Sequence, residues 1–142
     1  MEHMPYAQYP TIQHAWFNEV WNQANEAAID DLCATDVVGH GLTDANGNEV
    51  TSREGFRAFY RSFRSAFPDI HVDVLETATE GDNVVARCRV TATHSGEGFV
   101  VAPTGASVEF TGMCWLRVRN GQISESWNSF DFLKVMQQLG AV

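Results

Sequence analysis

Two side chains in the second half of the chain could move a proton. His94 ends the run Val84-Val-Ala-Arg-Cys-Arg-Val-Thr-Ala-Thr-His94, and Asp131 follows the last strand-like run. Successive side chains on a strand point to opposite faces. That parity puts His94 on one face with Ala92, Val90, Cys88 and Ala86, and puts Arg87 and Arg89 on the other. It gives Ile123, Trp127 and Asp131 a shared face as well. An imidazole and a carboxylate aimed into one apolar interior are what proton transfer away from water requires. His40, flanked by Gly39 and Gly41, is a third polar candidate. Asp131 has a competing role, because it precedes Phe132-Leu-Lys134 and aspartate is a favoured helix N-cap. A capping carboxylate has a lowered pKa and is a weaker base. Trp127 reads as a wall of core and pocket. Glu125 shares its parity and points inward too, unless a β-bulge reverses it.

Helices and strands must position these groups. Ile12, Trp16, Phe17, Val20, Trp21 and Ala24 form an apolar stripe, which predicts a helix from about Tyr9 to Asn25. A short helix is expected near Glu26 to Cys33, and Asp36 to His40 reads as extended. Thr51-Ser-Arg-Glu54 has the form of a capping box. The helix it opens carries Phe56, Phe59, Tyr60, Phe63 and Phe67 on one face, and Pro68 ends it. From Ile70 the apolar period becomes two. Asn120-Gly121 marks a hairpin, Gln122 to Phe130 is the last strand, and Gly140 closes a final short helix. Three helices followed by four strands, mostly joined by hairpins, predict an α+β fold with helices on one face of a curved antiparallel sheet. Trp16, Phe17, Phe59, Phe63 and Phe110 are candidates for an apolar substrate wall, with Trp127 and Asn128 beside them.

Composition excludes several classes. The chain has 142 residues, enough for one domain with a real core, and residues 1–8 read as a disordered or tag-derived leader. A formal net charge of −9 argues against a nucleic-acid partner. No apolar run is long enough for a bilayer, and there is no secretory leader. Cys33, Cys88 and Cys114 are odd in number, without metal-ligand spacing, and suggest a reducing, cytoplasmic setting. No histidine motif points to a metal, so none is expected. Arg53, Arg57, Arg61 and Arg64 recur at helical spacing and read as a solvated helix face. Met113 and Trp115 make the second face of their strand apolar, which predicts a homodimer.

The chain resembles the SnoaL-like polyketide cyclases of the NTF2-like superfamily over nearly its whole length. The matching stretches are Phe17-Asn-Glu-Val-Trp-Asn22, Asp36-Val-Val-Gly-His40, Arg53-Glu-Gly-Phe56, Phe67-Pro-Asp69 and Thr93-His-Ser-Gly96. They continue in Pro103-Thr-Gly105, Phe110-Thr-Gly-Met113, Gly121-Gln-Ile123, Trp127, Asp131 and Gln137-Gln-Leu-Gly140. The order and spacing of these stretches carry the resemblance. It implies a cone: a curved sheet around a long N-terminal helix, with a deep pocket. It implies a cofactor-free intramolecular aldol condensation on an apolar or aromatic carbonyl compound, with Asp131 as acid and base, His94 beside it and His40 as a third polar group. Many relatives are acidic where this chain has Asn128, and the loop between His94 and Pro103 has its own pattern. A ligand-binding module without chemistry, or a hydroxylase or isomerase on the same scaffold, are the other readings.

Overall fold

The computed structural model describes residues 6–44 and 46–142. Residues 1–5 of the expected leader lie outside the described residues, whereas the Tyr6 hydroxyl donates to Asp31 at 2.6 Å. Thr11 caps the first helix, α1 (Ile12–Ala15), by accepting from the His14 N–H. The helix continues without a break as a π-wound segment, Trp16–Asn22, closed by the five-residue bond from Gln23 N–H to the Asn18 carbonyl at 2.8 Å. The N-terminal helix is therefore shorter than the apolar stripe predicts. Pro10 and the Thr11 cap start it late, and Ala24, with φ +55°, lies beyond its end. The wider π turn spreads Trp16, Phe17, Val20 and Trp21 over one broad buried face.

After α2 (Ala27–Leu32) comes β1 (Cys33–Thr43), a full strand where the sequence showed only an extended stretch, and then the short β2 (Glu49–Val50). Helix α3 (Arg53–Ala66) starts one residue later than the capping box predicts. Ser52, not Thr51, accepts from the Gly55 N–H at 3.0 Å, and Glu54 turns to Arg57 instead of reaching back. The four meander strands follow: β3 (His71–Glu80), β4 (Asn83–Thr93), β5 (Ser107–Arg119) and β6 (Gln122–Phe130), then α4 (Phe132–Gln138). Asn120 and Gly121 both have positive φ, as a tight β5–β6 hairpin requires. Among the described residues the sheet has six strands in the order β2-β1-β6-β5-β4-β3, with β1 and β6 parallel and the other neighbours antiparallel. This is the α+β cone that the resemblance implies.

One face of the sheet meets the helices. Val84, Ala86, Cys88, Val90 and Ala92 of β4 are buried there with Val108, Phe110, Cys114 and Leu116 of β5. Opposite them stand Trp16, Phe17 and Trp21 and the α3 rings Phe56, Tyr60 and Phe63. The arginines of α3 are not merely solvated. Arg53 donates to the Cys33 carbonyl, Arg57 bridges Glu54, Glu26 and Asp30, Arg61 pairs with Glu26, and Arg64 donates to the Trp21 and Pro68 carbonyls. They fasten α3 to α2 and to the end of the π turn. Among the described residues no helix is long and apolar enough to cross a membrane.

A bulge in β6 decides which residues face the interior. Ile123 pairs with Val118, but Glu125 pairs with Arg117, so two steps in β6 match one in β5. The extra residue reverses the parity that the sequence predicts. Ile123 and Ser126 are buried, and Asn128 and Phe130 face the helices. Glu125 and Trp127 lie on the outer face. There the Trp127 ring stacks on His40 at 5.3 Å and meets Trp115 edge-on at 6.4 Å. The expectation that Trp127 walls the interior is thus corrected by one inserted residue.

Candidate functional site

The helices and the sheet enclose an aromatic cavity of about 60 Å³. Its walls come from the π turn (Trp16, Phe17, Trp21), from α3 (Phe56, Phe59, Phe63), from strands β3 to β6 (Val72, Val90, Phe110, Phe130), and from Leu42, Ile70 and Phe132. Six of the seven side chains expected to touch substrate, Trp16, Phe17, Phe59, Phe63, Phe110 and Asn128, line this one cavity; Trp127 does not. Asn128 is the one polar side chain among those walls. Its orientation is fixed. The Nδ2 group donates to the His40 carbonyl at 3.0 Å and to the Ser126 hydroxyl at 2.9 Å, while Oδ1 accepts from the Cys114 thiol at 3.3 Å. Both amide protons are used, so the amide oxygen is what Asn128 can still offer a ligand.

The volume is small. Ligand pockets for drug-sized molecules run to roughly 300–1,000 Å³, so an aromatic ring system enters only if wall side chains move. They have somewhere to go. Phe59, Phe63 and Phe132 also border an open groove of about 570 Å³, whose other sides are Gly41, Thr43, the loop residues Gly98, Phe99 and Val100, and Met136 of α4.

The three expected catalytic groups do not converge on this cavity. Asp131 is exposed and caps α4, with Oδ1 accepting from the Lys134 N–H at 3.0 Å. Its chain neighbours Phe130 and Phe132 do line the cavity, so its backbone sits at the rim. His40 lies on the outer face between two carboxylates, Nε2 at 2.6 Å from Glu125 and Nδ1 at 3.0 Å from Glu49. The bond to Glu125, and then the one to Glu49, raise its pKa above the ordinary histidine value. The His40 backbone carbonyl does reach the cavity wall, through Asn128.

His94 is fully buried, just beyond the end of β4, packed against Phe67 at 5.2 Å and Phe99 at 6.1 Å. Its Nδ1 takes the Thr104 backbone N–H at 3.3 Å and lies 3.1 Å from the Thr104 hydroxyl, and among the described residues no atom pairs with Nε2. An unpartnered buried donor costs about 1–3 kcal/mol. The other unpartnered buried side-chain atom among the described residues is an acceptor, Oε1 of Gln13, whose Nε2 donates to the Cys114 carbonyl at 2.8 Å. Sequence reasoning passed over Gln13, although it sits three and four residues before Trp16 and Phe17 on the apolar stripe. It also missed Phe99 and Thr104, which lie in a loop without periodicity. Burial pushes the Cys33 and Cys88 thiols up to about 12, and that of Cys114 up as well, so none is a ready nucleophile. Among the described residues no group of His, Cys, Asp and Glu side chains could hold a metal ion.

The family profile described as SnoaL-like polyketide cyclase matches residues 12–139, from α1 to the end of α4. The chain belongs to the SnoaL-like polyketide cyclase family. The same likeness appears in solved structures. The SnoaL-like chain is 34% identical to IdmH of Streptomyces antibioticus, a candidate polyketide cyclase, covering 89% of this chain and 94% of that one with a TM-score of 0.75. It is 30% identical to AclR of Streptomyces galilaeus, a candidate hydroxylase, over 87% of this chain and 75% of that one, with a TM-score of 0.73. A candidate SnoaL-like cyclase from Jannaschia aligns over 100% of this chain and 99% of its own with a TM-score of 0.82, and at 24% identity that likeness speaks for the fold alone. Among curated proteins no sequence matches.

Proposed function

We propose that this SnoaL-like protein takes an apolar, largely flat carbonyl compound into the aromatic cavity and catalyses a cofactor-free cyclisation of the intramolecular aldol type. The observation that carries the reading is the cavity itself: a wall of aromatic and aliphatic side chains with Asn128 as its one polar member. Such a cavity recognises rings by shape and stacking, and one directed polar atom sets their orientation. Folding a flexible substrate against these walls brings its reacting carbons together, which is where much of the rate of a ring closure comes from. His94 would hydrogen-bond the developing enolate oxygen. Asp131 is the base in this reading, and it acts only after leaving its cap. The departure costs about 1 kcal/mol, the usual worth of such a cap, and the carboxylate then sits beside Phe130 and Phe132 at the rim.

Asp131→Asn tests the base cleanly, because asparagine caps a helix as well as aspartate does. Proton exchange at the α-carbon of aromatic 1,3-dicarbonyl esters in heavy water, followed by NMR, should fall by ~10²–10⁴-fold in the variant with little change in melting temperature. Unchanged exchange would remove Asp131 from the mechanism.

A second reading is favoured by the outward position of Asp131: a module that binds the same compounds without chemistry. Saturable binding with no exchange in either protein would select it. The fold also leaves Met113 and Trp115 of β5 exposed on the outer face of the sheet, at 54% and 44%. We assign that face to a second copy of the chain, as a homodimer.

A further inference from the structure

We propose that His94 is a carbonyl reader behind a gate: Thr104 holds its ring in the Nε2–H tautomer, and Phe99 screens that N–H from the groove until a ligand displaces it. The inference rests on the reading of the cavity as a ligand site and deepens it by naming a positioning residue and a gate.

The tautomer follows from the donors around Nδ1. The Thr104 backbone N–H points at it, at 3.3 Å, and an amide can only donate. The Thr104 hydroxyl already accepts from the Ala106 N–H at 3.2 Å, which leaves its own proton for Nδ1 at 3.1 Å. Nδ1 is therefore the acceptor, and the ring proton sits on Nε2. That donor is fully buried and unpartnered, in a chain where nearly every other buried polar side-chain atom among the described residues has a partner. A donor kept in this state is primed for an acceptor that arrives later, and a carbonyl or enolate oxygen is an acceptor without a proton of its own.

The gate follows from the packing of the loop that joins β4 to β5. Its stem is fixed on α3: the Ser95 and Gly96 N–H groups both donate to the Ala66 carbonyl, and a Cβ on Gly96 would stand 1.9 Å from the Ser65 carbonyl oxygen. The loop touches α3 again at Gly98, where a Cβ would stand 2.6 Å from the Ser62 carbonyl oxygen, and Val101 packs on the core. Between them Val100 is 67% exposed, and the Phe99 side chain turns inward, its ring meeting Phe63 at 5.9 Å, Phe67 at 5.4 Å and His94 at 6.1 Å. Phe63 walls the cavity, and Phe99 itself borders the open groove. A ligand ring that replaces Phe99 would gain the same aromatic neighbours and place its oxygen toward His94.

Imidazole nitrogen NMR and ligand binding together test this. In wild-type protein His94 should show the Nε2–H pattern with a slowly exchanging ring proton. Thr104→Val, which keeps the backbone donor and loses the hydroxyl, should raise the Nδ1–H fraction in part, Thr104→Ser should keep the wild-type pattern, and Phe99→Ala should speed exchange of the ring proton with water at least tenfold. With 1-tetralone and its hydrocarbon analogue tetralin as probes, wild type should favour the ketone about tenfold, in line with the worth of one buried hydrogen bond. Thr104→Val should lose part of that preference while binding tetralin as before. An Nδ1–H tautomer in wild type would overturn the proposal, and so would equal binding of the two probes or binding of neither. None of these readouts needs turnover, so a failure of the cyclisation reading would show separately, as absent α-proton exchange with the tautomer and the ketone preference intact.

Discussion

At the residue scale the protein separates polar groups by face. Asn128 points inward from β6, and the histidine whose carbonyl it binds, His40, directs its ring outward to Glu49, Glu125 and the Trp127 face. Arg117 adds a positive charge there, 3.5 Å from Glu125 and 4.9 Å above the Trp127 ring. The His40 ring clamps β1 to β2 and β6 only while it is protonated and can donate from both nitrogens. Because the folded-state pKa is raised, the clamp contributes fully below the ordinary value of about 6.5 and is lost as pH rises through the raised value. Both partners are partly exposed, which limits each pair to ~0.2–1 kcal/mol. The stability difference between wild type and His40→Gln, from urea titrations, should therefore shrink by about 1 kcal/mol in total as pH rises across that window. A difference that stays constant with pH would show that the clamp is held by neutral hydrogen bonds instead.

At the element scale the helices and strands were readable because their periods are strong, and the errors fall where a single residue changes register. The sequence located β6 and α4 closely, yet it put Trp127 inside, because the bulge between Ile123 and Glu125 leaves no mark in the alternation. Trp16, Phe17, Phe59 and Phe63 do fall together on the walls of one cavity, since each belongs to a helical apolar stripe wide enough to stay buried even where the first helix winds as a π turn. The polar site fared worse. Asp131 carries a capping signature and a family motif at once, and sequence alone does not rank them. The start of α3 shows the same one-residue ambiguity, with Thr51 and Ser52 adjacent and each able to cap. The structure assigns the cap to Ser52. Ser52→Ala should accordingly cost about 1 kcal/mol in a denaturation experiment and Thr51→Ala a few tenths at most. Equal losses would mean that the two hydroxyls share the cap.

At the scale of the whole molecule the sheet carries apolar side chains on both faces. Its inner face closes the cone, and the outer face of β5 exposes Met113 and Trp115 in a strand whose neighbours β4 and β6 carry Arg87, Arg89 and Trp127. The charges on this face are already paired within the chain, Arg87 with Glu76, Arg89 with Asp73 and Arg117 with Glu125, so a second copy meets few free charges there. That matters because the formal net charge of −9 makes two copies repel at long range. Association through a locally neutral, aromatic patch should consequently strengthen with salt, as screening removes the long-range term and leaves apolar burial untouched. Light scattering during size-exclusion chromatography should give a dimer at micromolar concentration, tighter at 0.5 M than at 0.05 M sodium chloride. Met113→Glu combined with Trp115→Glu should yield a monomer with unchanged circular dichroism. A dimer that weakens with salt would place the contact on charged pairs elsewhere, and a double variant that stays dimeric would rule out this face.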